Sequence, residues 1–317
     1  MSINNSIELS VVVPCHNEEA SLLLFYEAME QIISSLTETH SFYGYELIFV
    51  DDGSTDATAS LLRRLSEENQ NVHYIIFSRN FGKEAAMLAG FERALGKYVV
   101  TMDADLQDPP LLIPQMLEVV RSGEFDCAGT RRVSRQGEPL IRSFFARRFY
   151  RVMAKMSDIE IVDGARDFRL MNRPYLNAVL SLQERNRFSK GIFPWVGFKT
   201  KWFEYENIHR VAGETKWSFW KLFVYSMDGI VAFSSKPLAL ASICGTLFFL
   251  LSLIFIGFII IRKAIWGDPV AGWASTICII LFCSGIQLFS IGILGQYLAK
   301  TYTEVKQRPQ FIILEQN

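Results

Sequence analysis

The segment LSVVVPCHNEE (9–19) joins an apolar, β-branched run directly to a polar one, and this arrangement returns three times. It returns as YELIFVDDGSTD (45–56), VHYIIFSRNFGK (72–83) and YVVTMDADLQD (98–108). Short β-branched runs are typical of buried strands, and apolar residues at helical spacing lie between them. This alternation predicts an α/β domain with a mainly parallel sheet and helices on both faces. Ligands of such sheets bind beyond the carboxyl ends of the strands, where the four polar segments lie.

The same pattern gives the approximate bounds of the elements. Five strands are predicted at Leu9–Pro14, Tyr45–Val50, Val72–Phe77, Tyr98–Met102 and from Asp126–Ala128. Four helices are predicted at Glu19–Leu36, Asp56–Ser66 with Asp56 as its cap, Glu84–Leu95 and Leu111–Arg121. Residues 131–165 are basic and less regular, and a mixed segment, 166–216, completes a domain predicted to span 1–216.

The charges of the chain nearly cancel, with 32 Lys and Arg against 33 Asp and Glu and a net charge of -1. A general nucleic-acid binder carries a basic excess, so the composition argues against that class. The five cysteines form no CxxC motif, which is typical of reduced thiols and a cytosolic domain. The four histidines are scattered and form no HxxxH zinc motif. The polar N-terminal residues lack the pattern of a cleavable signal peptide.

Half of the residues are hydrophobic, and two runs without a charge hold much of that excess. The runs 238–261 and 270–299 contain 24 and 30 residues. At 1.5 Å per residue the shorter one forms a helix of about 36 Å, longer than a bilayer core of about 30 Å. We predict two transmembrane helices, about 238–261 and 273–298, within a membrane segment 236–300. The gap between them is short, so both ends of this hairpin lie on one side of the membrane.

Basic residues indicate which side that is. Two lie in the hairpin loop, Arg262 and Lys263, and six flank the hairpin: Lys216, Lys221, Lys236, Lys300, Lys306 and Arg308. This asymmetry predicts a multi-pass protein of the cytoplasmic (inner) membrane, with the domain, the tail 301–317 and both termini in the cytosol. The aromatic, amphipathic segment 217–235 either lies along the membrane interface as a juxtamembrane helix or packs as an ordinary helix. Small residues would permit helix packing in a homo-oligomer: Gly245, Gly257, Gly285, Gly292 and Gly295.

Two carboxylates, Asp103 and Asp105, directly follow the predicted fourth strand. Such a pair can hold a divalent cation, Mg²⁺ or Mn²⁺, that bridges a nucleotide diphosphate. An Asp-x-Asp pattern alone is common and also suits a solvated loop, but its place at a strand end favours the metal site. Asp51 and Asp52 either accept hydrogen bonds from a nucleobase or ribose or only shape a turn. The Pro14–Glu19 turn either lines the same pocket or begins a helix.

Arginines crowd into the segment 131–151, at positions Arg131, Arg132, Arg135, Arg142, Arg147, Arg148 and Arg151. Beside a membrane hairpin, guanidinium groups can bind a lipid phosphate bidentately, and the alternative is a solvated or headgroup-facing surface.

Other nucleotide-binding and hydrolase motifs are missing from the sequence. GxGxxG and GxSxG do not occur, and GFERALGK (90–97) has neither the spacing nor the hydroxyl of a P-loop.

In combination, these segments resemble family 2 glycosyltransferases with a GT-A fold. The resemblance covers about residues 8–216 and rests on VVVPCHNEE (11–19), VDDGSTD (50–56), SRNFGKEAAMLAG (78–90), DADLQDPP (103–110), GTR (129–131), DFRLMNR (167–173), RNRFSKGIFPWVGF (185–198) and R-x-x-G-E-T-K (210–216). With its two apolar helices the chain is most similar to polyisoprenyl-phosphate glycosyltransferases. Within them it is closer to bactoprenol glucosyltransferases than to dolichol-phosphate mannosyltransferases.

This resemblance implies inverting transfer of a sugar from a nucleotide sugar, with UDP-glucose as the first candidate, to a polyprenyl phosphate such as undecaprenyl phosphate at the cytosolic membrane face. By analogy Asp103 and Asp105 hold the metal with Gln107 nearby, and Asp167 joins them in catalysis. The residues implied to bind the nucleotide sugar are Pro14, Asn17, Glu18, Asp51, Asp52, Lys83, Asp103, Ala104, Asp105, Arg210 and Lys216. Those implied to bind the acceptor phosphate are Arg131 and Arg147.

Two departures from the family pattern bear on the reaction. Gly164–Asp167 replaces a small-residue turn of related mannosyltransferases, which places Asp167 where a carboxylate can orient the acceptor or the sugar. Whether Asp167 or Asp163 is a base or only an orienting group stays open. Glu184–Phe188 replaces the Gln-x-x-Arg-Trp of processive synthases, which argues against polymer synthesis.

Four other functions remain as alternatives. They are a membrane-anchored nucleotide-sugar-binding scaffold without catalysis, a flippase or small transporter, a transferase that uses a hydroxyl acceptor, and the same reaction with another sugar such as mannose or an aminoarabinose derivative. The absence of a charge within either apolar run weighs against a transporter.

Overall fold

The computed structural model describes residues 7–39, 42, 44–132, 162, 164–206, 231, 234–266 and 272–317. The strands in those residues are β1 (Leu9–Cys15), β2 (Tyr45–Asp51), β3 (Val72–Phe77), β4 (Tyr98–Thr101), β5 (Cys127–Arg132), β6 (Ala165–Asn172), β7 (Thr200–Tyr205) and β8 (Ile313–Gln316). The α-helices are α1 (Leu22–Thr39), α2 (Thr58–Glu68), α3 (Lys83–Arg93), α4 (Ile113–Arg121), α5 (Arg173–Ser181), α6 (Ser189–Trp195), α7 (Lys236–Trp266) and α8 (Trp273–Lys306).

The strands form one mixed, mostly parallel sheet in the order β7-β5-β6-β4-β1-β2-β3-β8. Strand β1 pairs in parallel with β2 and β4, β2 with β3, and β5 with β7. Strand β6 is antiparallel to β4 and β5, and β8 is antiparallel to β3. The predicted α/β class with a mainly parallel sheet is confirmed. Because β1, β2, β3 and β4 run in the same direction, the four polar segments that follow them meet at one edge of the sheet.

Residues that alternate along β1 explain why helices cover both faces of the sheet. Val11 and Val13 belong to the apolar core that includes residues of α1, α2 and α4. Val12 belongs to the core on the opposite face, with residues of α3, α5 and α6. Gly90 of α3 permits the closest approach, since a Cβ there would lie 2.2 Å from Val12 Cγ1. Apolar runs without alternation are therefore strands buried on both faces.

The strands and helices predicted before residue 130 differ from the observed ones mainly at their ends. Helix α1 begins at Leu22 instead of Glu19, whereas β5 begins at Cys127, within the predicted start Asp126–Ala128, and extends to Arg132. Helix α2 begins at Thr58, so Asp56 is not its N-cap residue, although Asp56 does accept a hydrogen bond from the Thr58 N–H (3.0 Å). Boundaries depend on such local turn contacts, which apolar periodicity does not report.

The apolar helices α7 and α8 contain 31 and 34 residues. They lie side by side as a hairpin. The Phe248 and Phe282 rings meet edge to face at 5.4 Å, and the Tyr297 hydroxyl donates to the Ser234 carbonyl. Two windows, Lys236–Phe255 and Phe282–Lys306, are long and apolar enough to cross a membrane, and their side chains are not buried within the protein. The predicted spans overlap these two candidate membrane spans.

The chain returns to the sheet after α8. The predicted cytosolic tail, residues 301–317, contains β8, which pairs with β3 at the end of the sheet. Most of the segment 217–235 and most of the arginine cluster lie outside the described residues, so those expectations stay predictions.

Candidate active site

Hydrogen bonds lock the first two polar segments together beyond β1 and β2. Asn17, whose φ of 57° is left-handed, donates its N–H to Ser54 Oγ (2.8 Å). Its side-chain oxygen accepts the Thr55 N–H (2.8 Å). Glu18 donates its N–H to Thr58 Oγ1 (2.9 Å). Asn17 and Glu18, two of the residues predicted to bind the nucleotide sugar, therefore lie in a turn whose backbone N–H groups bond to the second polar segment and the start of α2.

The carboxylates Asp51 and Asp52 are both buried at the end of β2. The two Asp52 oxygens accept the N–H groups of Phe81 (2.6 Å) and Gly82 (2.9 Å), so Asp52 ties the third polar segment to the second. Asp51 Oδ1 accepts the Ser54 N–H (3.1 Å), while Asp51 Oδ2 has no partner among the residues that the structure describes. Burial raises the pKa of both carboxyls. Asp52 thus has a structural role, and Asp51 retains an unpaired acceptor.

Gly53 allows the second and third polar segments to touch. Its φ is +63°, and a Cβ there would lie 2.4 Å from the carbonyl carbon of Arg79 and 2.6 Å from Asn80 N. A left-handed conformation already disfavours other residues, and here the added atom would also strike backbone. The glycine of the DDGSTD segment is therefore required by the packing of the two loops.

Lys83 lies between two of the predicted site carboxylates. Its Nζ is 2.6 Å from Asp103 Oδ1 and 2.7 Å from Asp167 Oδ2. Burial works to lower the pKa of Lys83, but the charges of Asp103 and Asp167 outweigh it and raise that pKa. Burial likewise works to raise the pKa of Asp167, yet Lys83 and Lys190 hold it well below its usual range. Lys83 thus brings together residues from α3, the β4 end and β6.

Asp105 and Gln107 lie in the turn that follows β4. Asp105 is largely buried, and its Oδ1 accepts the Gln107 N–H (3.1 Å). The Gln107 side-chain oxygen accepts a hydrogen bond from Arg132 Nη2 (3.1 Å). Ala104 and Pro14, both predicted to line the nucleotide site, are buried. The predicted metal residues therefore share one turn, and Gln107 connects that turn to β5.

Asp108 is the centre of a second group of charges that the sequence analysis did not single out. Its Oδ1 accepts from Arg166 Nε (3.2 Å) and from the Tyr205 hydroxyl, and Arg132 Nη2 lies 3.7 Å away. Arg166 Nη2 is also 3.9 Å from Asp103 Oδ2, which joins this group to the first. Burial, followed by the Asp108 charge, raises the pKa of Tyr205 to about 12.

The arginine predicted to receive the acceptor phosphate, Arg131, lies on the other side of β5 from Arg132. It pairs with Glu204 of β7, and both side chains are substantially exposed. Successive residues of a strand point to opposite faces, so only one of the two arginines can contact Gln107 and Asp108. Arg131 as an acceptor ligand stays a prediction, as do the roles of Arg147, Arg210, Lys216 and Asp163, which lie outside the described residues.

The donor atoms at Asp103 and Asp105 fit a divalent cation of the Mg²⁺ type. Within the described residues, no group of three or more His, Cys, Asp or Glu side chains is arranged to hold a metal. Mg²⁺ does not need such a cage, because it is commonly bound by one or two carboxylates together with substrate phosphates and water. Asp103 already pairs with two cationic groups, Lys83 and Arg166, so the site is built to hold positive charge.

The matching family model is "Glycosyl transferase family 2", and it covers residues 10–180. The chain belongs to this family, and its sheet and helices form a GT-A-like α/β fold.

Curated relatives match over almost the whole chain. An uncharacterised glycosyltransferase of Synechocystis is 41% identical, covering 97% of this chain and 95% of that protein. A bactoprenol glucosyl transferase of Shigella phage SfII is 38% identical, covering 97% of each chain. A prophage bactoprenol glucosyl transferase homologue of Escherichia coli K12 is 37% identical, covering 97% of this chain and 98% of that protein.

Proposed function

We propose that this protein transfers a sugar from a nucleotide sugar to a polyprenyl phosphate, with inversion, at the cytosolic face of the cytoplasmic membrane. UDP-glucose is the first donor candidate and undecaprenyl phosphate the first acceptor candidate. The observation that carries the proposal is the full-length similarity to bactoprenol glucosyl transferases, in a chain that has Asp103 and Asp105 in the turn after β4. The product is a polyprenyl-phosphate sugar, available for a later glycosylation.

The donor site of the proposal is the group of loops at the carboxyl edge of the sheet. The unpaired Asp51 Oδ2 is an acceptor of the kind that a nucleobase N–H requires. Asp103 and Asp105 would hold a divalent metal, which when bound neutralises charge on the diphosphate and stabilises its departure. Lys83 and Arg166 lie beside Asp103 and supply further positive charge.

The acceptor explains why the site needs positive charge more than it needs a base. A phosphate monoester has a second pKa of about 6, so its oxygen is already largely ionised at neutral pH and can attack without losing a proton to the protein. Bringing two anions together requires charge screening, which Arg132, Arg166 and Lys83 are placed to provide. Asp167 is held by Lys83, which favours an orienting role over that of a general base.

The fold supports the proposed membrane arrangement. Strand β8 follows both apolar helices in the chain and pairs with β3, so the domain and the tail lie on the same side of the hairpin. This agrees with the charge asymmetry that assigns that side to the cytosol.

The proposal is tested with the purified full-length protein, undecaprenyl phosphate, Mg²⁺ or Mn²⁺, and a panel of labelled nucleotide sugars. We expect a labelled lipid product from UDP-glucose and none after chelation of the metal. Transfer from a different nucleotide sugar would identify that compound as the donor in place of UDP-glucose. Binding of nucleotide sugars without any lipid product would instead support the scaffold alternative. Sugar transfer to a hydroxyl acceptor would show that the acceptor is not the lipid phosphate.

Neighbouring arginines of β5 provide a paired prediction about the acceptor. We expect Arg131→Ala to raise the KM for polyprenyl phosphate by about tenfold while leaving the KM for the nucleotide sugar nearly unchanged. We expect Arg132→Ala to lower kcat instead, because it frees Gln107 and Asp108 beside the metal turn. Steady-state kinetics with each substrate varied in turn separates the two effects. An unchanged lipid KM in Arg131→Ala contradicts the acceptor assignment.

A further inference from the structure

The segment 304–317, which we call the C-terminal clasp, contacts the catalytic domain at two places. It begins in the last turn of α8 and ends in β8. At the first place it meets the loop before α6, and at the second it joins the edge of the sheet at β3. Both contacts lie next to segments of the proposed donor site.

At the sheet edge, the clasp is bound by backbone pairing and by side chains. In β8, Gln316, Glu315 and Ile313 are paired with Ile75, Ile76 and Phe77 of β3, respectively. The Glu315 carboxylate also receives a forked pair of hydrogen bonds from Arg63 (Nε to Oε1 2.9 Å, Nη2 to Oε2 2.7 Å) and one from the Tyr74 hydroxyl (2.8 Å). A forked guanidinium–carboxylate pair defines orientation as well as contact. The register of β8 against β3 is therefore specified by side chains.

The clasp supports the base of the third polar segment, 78–83. The Ser78 N–H donates to the Ile312 carbonyl (3.0 Å). The Phe311 ring stacks on Phe77 at 5.0 Å and 10° between planes, and Phe77 in turn meets Phe81 edge to face at 5.8 Å. Phe81 is the residue whose N–H binds Asp52, and Lys83 follows two positions later. The stack therefore runs from the clasp to the loop that carries Lys83.

At its other end, the clasp holds the loop before α6. Glu304 Oε1 accepts the N–H groups of Arg185 (2.8 Å) and Asn186 (3.1 Å), and Arg185 Nε donates to the Arg308 carbonyl (2.8 Å). Three residues later, the Ser189 N–H and hydroxyl bind the carboxylate of Glu84.

Glu84 is the residue after Lys83 on α3. The contact at the loop before α6 therefore reaches the same lysine from the opposite direction, through the first turn of α3. Both ends of the clasp bear on the loop and helix start that place the Lys83 ammonium between Asp103 and Asp167.

We propose that the C-terminal clasp orders the loop 78–83, so that Phe311 and Glu304 are positioning residues for the donor site. This inference rests on the proposed function for its kinetic readout but not for its structural one. Through the clasp, the end of α8 supports a loop of the proposed nucleotide-sugar site, although the clasp itself does not contact the substrate. A domain detached from the clasp keeps the loop's sequence but loses the contacts that hold its two ends.

The test compares Phe311→Ala with Phe311→Tyr and with Leu314→Ala in the full-length protein. Tyrosine retains the stacking ring, and Leu314 is an exposed residue of β8. We expect Phe311→Ala to raise the KM for the nucleotide sugar by about tenfold with little change in the KM for polyprenyl phosphate. Phe311→Tyr and Leu314→Ala should both remain close to wild type.

Amide hydrogen exchange provides a readout that needs no activity. In the nucleotide-free protein we expect faster exchange at the Ser78, Phe81 and Gly82 amides in Phe311→Ala, with amides of β1 unchanged. Glu304→Gln, a milder change at the other contact, should speed exchange at Arg185 and Asn186 and raise the same KM. Unchanged exchange in 78–82 together with an unchanged donor KM in both variants overturns the clasp. If the wild type transfers no sugar, the proposed function fails, and the exchange data still decide this inference.

Discussion

Asp105→Asn is expected to lower the rate of sugar transfer by about a thousandfold or more, which makes it the most damaging single change in the site. The substitution keeps the size of the side chain and an oxygen that can accept the Gln107 N–H. It removes one negative charge and one hard oxygen ligand from the turn after β4. The loss should therefore fall on the metal and the leaving diphosphate, and not on the fold.

The measurement is transfer of labelled sugar to polyprenyl phosphate, together with Mn²⁺ binding by electron paramagnetic resonance. Carbonate extraction of membranes reports whether the variant still inserts, and we expect that it does. Glu118→Gln is a matched control, because it makes the same chemical change on the exposed surface of α4. Full activity in Asp105→Asn would rule out the metal assignment.

Lys83→Met is expected to lower kcat by about a hundredfold or more. The same change is expected to make the nucleotide-free protein bind Mn²⁺ more tightly. Lys83 holds Asp103 and Asp167 with one ammonium group, and in the nucleotide-free protein it competes with a metal for Asp103. Its removal leaves two carboxylates facing one another without the charge between them. Catalysis then loses a cation beside the diphosphate, and metal binding loses a competitor.

The same change should also alter the dependence of stability on pH. A carboxyl whose pKa is lowered in the folded protein, as that of Asp167 is, contributes stability above its unfolded pKa and loses it as the pH falls. Lys83→Met should therefore lower the Tm at pH 7, and the difference from wild type should shrink below about pH 4. Lys190→Met is the matched control, since Lys190 acts on Asp167 through its charge alone. Equal losses of kcat in both variants would show that the contacts of Lys83 with Asp103 and Asp167 contribute nothing specific to catalysis.

The first half of the sheet could be predicted from sequence because each of its strands is one contiguous apolar run. Strands β1 to β4 are short apolar runs separated by helices, and each ends in the polar segment that the sequence displays. Parallel order then brings Asp51, Asp103 and Lys83 to one edge. The antiparallel strands β6 and β8 depend on pairing between distant segments, and no local pattern in ARDFRLMN (165–172) or ILEQ (313–316) reports that pairing.

The part of the site that the sequence analysis missed depends on side chains from strands that are far apart in the chain. Asp108, Arg166 and Tyr205 come from the β4 turn, β6 and β7, and their meeting requires the order of the sheet. Period-two alternation in β5 places Arg131 and Arg132 on opposite faces. Which face holds Arg132 follows only from the structure, in which Thr130 on that same face is fully buried.

Asp52 is a motif residue for which the structure shows a role in holding two loops together. Both oxygens of its carboxylate accept backbone N–H groups of the neighbouring loop, and its contact with the nucleotide stays a prediction. Spacing identifies where polar residues gather, whereas their partners depend on loop packing such as the contact of Gly53 with Arg79.

The place of β8 has a consequence for biosynthesis. Translation reaches β8 only after both apolar helices have been made, whereas its partner β3 emerges long before them. Until then the outer edge of β3 has no strand beside it, and an unpaired edge is prone to pair with other chains. Completion of the sheet therefore waits for synthesis of the apolar helices, so a chain interrupted within α7 or α8 lacks β8.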